Sequence, residues 1–212
     1  SRVVSISGLG AEVWYPAELG SEAGLDARRY DVRDWLPESE RDKIPDSDNP
    51  WQDSSVYADL ALDQERGPYP AIVFVHGTAG WRTQSLALLE HWASRGFVVV
   101  AADHPGLFLG DLLMLQTQRD LAGDLAKIVS ALATASAGLE FLAGRIDAGR
   151  IGMVGHSAGG GAIADQGGTA GVRVLIPLAA GGTQPGASLE STLVMGGMAD
   201  AVGEYAQQVA GY

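Results

Sequence analysis

Gly155-His156-Ser157-Ala158-Gly159 sets a serine between two glycines, directly after the apolar, strand-type run 150–154 and directly before the small residues Gly160-Gly161-Ala162-Ile163-Ala164. A serine hydroxyl is a weak nucleophile until a base takes its proton and N–H groups stabilise the oxyanion that its attack creates. A strand, a sharp turn and a helix in that order serve this chemistry. The turn forces the serine into unusual backbone angles, and the flanking glycines remove the Cβ clashes that would forbid it. The hydroxyl then stands above the sheet, facing a helix N-terminus whose first N–H groups have no intrahelical acceptor. The spacing therefore points to covalent catalysis by Ser157, with the Ala158 N–H beside it. An incidental serine in a glycine-rich loop is the bland alternative.

The elements that must hold this serine are legible along the rest of the chain. Residues 3–6 and 11–15, separated by Ser7-Gly8-Leu9-Gly10, read as a β-hairpin that Pro16 ends. Residues 17–68 are rich in Pro, Asp, Glu, Ser and Arg and carry isolated aromatics at Tyr30, Trp35, Trp51 and Tyr57. They are expected to form a long surface excursion pinned by those rings, and Gly67-Pro68-Tyr69-Pro70 breaks the chain after it. Strands then follow at 71–75, 97–102, 150–154, 172–178 and 192–195. Helices are expected at 83–95, within 119–143 with an interruption near Gly138, at 157–165 and from Ala201 onward. Apolar strands alternating with amphipathic helices predict one α/β domain over 1–212. Its sheet is mostly parallel, with the antiparallel hairpin at one end and helices on both faces.

A chain of 212 residues can bury one sizeable core, and its length requires no second domain. The 26 acidic against 14 basic residues give a net charge of −12, which argues against nucleic acid and anionic membrane surfaces as partners. The acids concentrate between Glu18 and Glu65, as on a solvated surface. No cysteine is present, so disulfides, thiolate nucleophiles and cysteine metal sites are excluded. No metal or cofactor is expected. The longest apolar runs are far too short to span a bilayer. The chain opens at Ser1 without a signal-type apolar region, and processing, including removal of a secretion signal, is one expectation.

In a parallel sheet, ligands meet the loops at the carboxyl ends of the strands. After 71–75 comes His76-Gly77-Thr78-Ala79-Gly80-Trp81, where a glycine pair frees backbone N–H groups to point into a site. After 97–102 comes Asp103-His104-Pro105-Gly106, then the apolar run from Leu107 and Phe108 to Leu115. That run reads either as a core helix start or as the wall of an apolar substrate pocket, which Trp81 and His104 would share. After 192–195 comes Gly196-Gly197-Met198-Ala199-Asp200.

These pieces together resemble the α/β-hydrolase superfamily, from about Ala71 to Ala210. Two groups within it are similar. The run 69–77, Gln84-Ser85 and the run 93–100 resemble the bacterial cutinases and polyester hydrolases. They also resemble the platelet-activating-factor acetylhydrolase and dienelactone-hydrolase-like esterases, toward which Glu12-Val13-Trp14-Tyr15-Pro16 and Asp103-His104-Pro105-Gly106 lean. The resemblance implies a serine esterase acting through an acyl-enzyme. The Thr78 N–H, with Ala79 as the adjacent alternative, joins the Ala158 N–H in an oxyanion hole. Chain order Ser…Asp…His makes Asp200 the acid that orients the histidine, since Asp165 lies at the far end of its helix and Glu190 precedes its strand. The acetylhydrolases would carry the acid after 172–178, where this chain reads Leu178-Ala179-Ala180-Gly181, so the position of Asp200 is cutinase-like.

The same order expects a histidine after Asp200, and none follows it. Of the four histidines, His76 is expected to pack structurally, His156 to point away from Ser157, and His91 to be an ordinary helix residue. His104 is the remaining contributor, as a base or as a pocket wall. The expectation is that a C-terminal segment or a second chain of the same gene product supplies the missing imidazole, with a final strand and helix beside 192–195. The other classes are a hydrolase fold that only binds, and an acyltransferase or peptidase using the same triad.

Overall fold

The computed structural model describes residues 1–202. Its main sheet has seven strands: β1 (Arg2–Ile6), β2 (Leu9–Trp14), β5 (Tyr69–Val75), β6 (Val98–Ala102), β7 (Ile146–His156), β8 (Val172–Leu178) and β9 (Ser191–Thr192). They lie in the order β1-β2-β6-β5-β7-β8-β9. The β1–β2 and β2–β6 pairs are antiparallel and all others parallel. This is the expected mostly parallel sheet with a hairpin at one edge. The last strand is shorter than expected, and a separate bridge between Leu178 and Met195 prolongs its pairing.

Side-chain alternation along each strand divides the core in two. Val73, Val75, Val98 and Val100 face Leu125, Ile128 and Leu132 of α4 (Leu121–Thr134). Ile72, Phe74, Val99 and Trp14 face Leu86 and Leu89 of α2 (Leu86–Ser94). A sheet covered on both faces needs near-continuous apolar strands, and Tyr69–Val75 has that sequence.

Two boundaries differ from expectation, each for a local reason. The α2 helix starts at Leu86 rather than residue 83. The Thr83 hydroxyl instead donates to Gln52 Oε1 at 2.6 Å, and Gln52 Nε2 donates back to the Thr83 carbonyl at 3.2 Å. The α4 helix is capped by Asp120, which accepts the Gly123 N–H at 2.9 Å, and it stops at Thr134 because Ala135 takes a left-handed conformation. The interruption or kink expected near Gly138 is a full stop of the α-helix, followed by a short 3-10 turn at Glu140–Leu142. The helix expected from Ala201 lies, past Val202, outside the described residues.

The excursion 17–68 carries a two-stranded sheet, β3 (Arg29–Tyr30) with β4 (Gln52–Asp53), a 3-10 turn at Val32–Trp35 and the single-turn α1 (Glu38–Arg41). Tyr30 and Trp35 are buried, whereas Trp51 and Tyr57 are only half-buried, so two of the four aromatics do most of the pinning. Trp35 Nε1 donates to both Asp103 carboxylate oxygens at 3.0 Å. Asp103 also accepts the Arg82 backbone N–H at 2.7 Å and pairs with the Arg82 guanidinium, which lies over the Trp35 ring. This cluster ties the excursion to the loops after β5 and β6.

Candidate active site

Strand β7 ends at His156, and α5 (Ala158–Ile163) begins one residue after the serine. Ser157 has φ 52° and ψ −118°, a strained conformation for a residue with a side chain. The glycines around it are imposed by contact. A Cβ at Gly155 would press into the Gly159 carbonyl and lie 2.6 Å from the Gly160 nitrogen. A Cβ at Gly159 would meet the Val75 carbonyl and lie 2.6 Å from the His76 oxygen. The Gly159→Ala variant is accordingly expected to lose about 1–3 kcal/mol of stability, read as a fall in urea midpoint. Gly161→Ala, whose Cβ would meet nothing within 4 Å, should be neutral or slightly stabilising.

The sheet register brings two loops to this turn. Val75 is paired with Gly155, so the loop 76–80 leaves the sheet beside the serine. A Cβ at Gly77 would lie 2.7 Å from His156 Nδ1, which shows how closely that loop packs on the elbow. On the other side the Ser157 N–H donates to the Leu178 carbonyl at 2.8 Å, and Leu178 bridges Met195. The segment leading to Asp200 therefore leaves the sheet next to the elbow as well. Asp200 closes a turn with its N–H on the Gly197 carbonyl at 3.1 Å, and its Oδ1 accepts the Val202 N–H at 2.8 Å.

Bonding distinguishes the expected oxyanion donor Thr78 from its neighbours in the loop. The Ala79 N–H, the adjacent alternative, is engaged by the Leu107 carbonyl at 2.9 Å. The Thr78 and Ala158 N–H groups have no acceptor among the described residues. Thr78 is exposed, and Ala158 opens α5, where the first N–H groups lie beyond the intrahelical ladder.

The expected pocket residues divide. Trp81 is half-buried, stacked on Trp35 at a centroid distance of 5.9 Å, and Phe108 is half-buried in the same aromatic layer. Phe108 also pairs with Gly80 across a bridge that holds the two loops together. Leu107 and His104 have no exposed surface, so both expectations of a substrate-facing side chain are corrected: they support the loops from beneath. In the same stretch, α3 (Leu109–Leu113) is a single short helix. Leu113, Met114 and Leu115 lie exposed at its end, so the apolar run is neither a core helix nor wholly a wall.

None of the four imidazoles bonds to Ser157. His91 lies exposed on α2. The His156 Nδ1 is buried without a partner. The fully buried His104 directs Nδ1 to Asp124 Oδ2 at 3.2 Å, while Lys127 reaches Asp124 Oδ1 at 3.1 Å. Burial works to raise the Asp124 carboxyl, but the hydrogen bonds from His104 and Lys127 outweigh it and hold the pKa below its ordinary value. The His104–Asp124 pair and the Asp103–Arg82–Trp35 cluster were missed in the sequence. The polar pair Asp103-His104 at a strand's carboxyl end was the only signal for either. Among the described residues no group of three His, Asp or Glu side chains could hold a metal ion, and no helix is long and apolar enough to cross a membrane.

The family model named Chlorophyllase matches residues 53–166, more than half of the chain. Among solved structures, the ferulic acid esterase from Streptomyces cinnamoneus superposes with a TM-score of 0.53 at 21% identity, over 81% of this chain and 58% of that one. A dienelactone hydrolase-like promiscuous phosphotriesterase from metagenomic libraries gives a TM-score of 0.46 at 22% identity, over 68% of this chain and 64% of that one. The chain thus spans less than two thirds of the length of these structures. No curated protein matches it. The fold is that of the α/β-hydrolases.

Proposed function

The chain belongs to the chlorophyllase family, and from that premise we propose that it is a serine hydrolase of carboxylic esters. The observation that carries this reading is the strained Ser157, followed by the unengaged Ala158 N–H and flanked by the loop that carries the unengaged Thr78 N–H. A binding module has no need of a strained serine. In the proposed reaction Ser157 Oγ attacks the ester carbonyl as a base takes its proton. The two N–H groups hold the tetrahedral oxyanion, the alcohol leaves with a proton, and water then releases the acyl group from Ser157. Asp200 is proposed to orient the base.

The base itself is proposed to be a histidine outside residues 1–212, on a further segment or a second chain. His76 and His104 are buried and turned to other partners, His91 is remote on α2, and the half-buried His156 makes no bond to Ser157. The exposed Leu113, Met114 and Leu115 after β6, and Leu193, Met195 and Met198 after β9, favour an ester with a sizeable apolar acyl or alcohol part. This is the substrate pattern of cutinase-, lipase- or acetylhydrolase-like esterases.

The lack of an imidazole on Ser157 favours one competing reading, a hydrolase fold that binds without turnover. Treating the full gene product with a fluorophosphonate probe separates the two. The expected result is a single adduct on the peptide containing Ser157, with parallel loss of p-nitrophenyl butyrate hydrolysis. A full gene product that neither reacts nor hydrolyses esters would favour the binding reading. Label on another residue would sink the assignment of Ser157.

A further inference from the structure

His76 is fully buried one residue before the oxyanion loop, and both of its ring nitrogens are engaged. Nε2 accepts the His104 backbone N–H at 3.2 Å. It therefore carries no proton, and the neutral ring's proton sits on Nδ1, which lies 2.8 Å from the Gly77 carbonyl oxygen and donates to it. Burial, its largest cause, pushes the His76 pKa down to about 4, which keeps the ring in this neutral form at neutral pH. The same Gly77 oxygen also accepts the Gly80 N–H at 3.0 Å, and the Gly77 N–H is held by Gln84 Oε1 at 3.2 Å.

The Gly77 carbonyl and the Thr78 N–H belong to one planar trans peptide, so they point in opposite directions. Fixing the carbonyl inward on the His76 ring fixes the N–H outward. Rotation of this peptide by half a turn would replace an N–H donor by a carbonyl oxygen, exchanging attraction for repulsion at a developing oxyanion. Glycine at position 77 leaves that rotation sterically open, so an anchor on its oxygen is needed.

We infer that His76 is a positioning residue for ester hydrolysis: its Nδ1–H holds the Gly77–Thr78 peptide in the orientation that presents the Thr78 N–H to the oxyanion. The inference rests on the proposed role of Thr78 in the serine mechanism. Behind the ring, the His104 N–H fixes the tautomer, and the His104–Asp124 pair fastens that loop to α4.

The test compares H76N and H76Q in the full gene product, with H76F as the donor-free variant. Asparagine places an amide N–H near the position of Nδ1, whereas glutamine places it near Nε2. The expected result is a kcat for p-nitrophenyl butyrate lowered about 10²-fold in H76Q and H76F, with KM within about threefold of the parent. H76N should retain at least a tenfold advantage over H76Q. Affinity for a boronic acid that mimics the tetrahedral intermediate should fall in step with kcat. Fluorophosphonate labelling at Ser157 in the parent separates this question from the function itself, because a parent that is not labelled there removes both readings. With labelling intact, equal kcat in H76N and H76Q overturns the positioning role. So does a loss that appears in KM alone. If H76F does not fold, the Asn and Gln pair decides the matter.

Discussion

Replacing Ser157 with alanine is expected to lower kcat for ester hydrolysis by on the order of 10⁴–10⁶, with the fold intact. The substitution removes Oγ and little volume. Alanine tolerates the positive φ no better than serine, so the backbone strain of φ 52° is unchanged. The Ser157 N–H to Leu178 bond belongs to the backbone and survives as well. The measurement is single-turnover and steady-state hydrolysis of a p-nitrophenyl ester, beside a urea denaturation curve. A folded variant turning over at the parental rate would assign the chemistry to another residue. Residual activity well above the uncatalysed rate is compatible with the reading, because the oxyanion donors act without the nucleophile.

Asp200→Asn should cost roughly 10⁴ in kcat while leaving KM little changed, because an amide favours the wrong tautomer of the histidine it contacts. The loop geometry gives this substitution a mild structural effect. Asparagine Oδ1 can still accept the Val202 N–H that Asp200 accepts at 2.8 Å. Glu190→Gln is the matched control, since Glu190 is an exposed partner of Arg173 at 3.1 Å and a surface pair of this kind contributes at most about 1 kcal/mol. The pair of variants measured together distinguishes loss of a particular acid from loss of negative charge. Activity of Asp200→Asn within a few-fold of the parent would move the acid elsewhere and end the cutinase-like placement.

The sequence by itself determined the elbow and the sheet. Both are local: strand, turn and helix are contiguous around Ser157, and short continuous apolar runs bounded by turn residues, such as 71–75, need no knowledge of their neighbours to be recognised as buried strands. The order of strands after Ala71 likewise put the loops of Thr78, Asp103 and Asp200 at one end of a parallel sheet. The tertiary structure decided what those loops do with their polar groups. Ala79 N–H is taken up by one long-range bond to the Leu107 carbonyl, which favours its neighbour Thr78 in the proposed donor role. Leu107 looked like a pocket wall because an apolar residue in a loop has the same composition whether it faces ligand or core, and only packing shows it fully buried. His104 was ambiguous for a related reason. Its partner Asp124 lies 20 residues away on α4, and the Trp35–Asp103 contact spans 68 residues. Which charge meets which ring across such separations depends on how helices and excursion settle on the sheet. That placement is fixed by the summed burial of many apolar side chains, so no short motif encodes it.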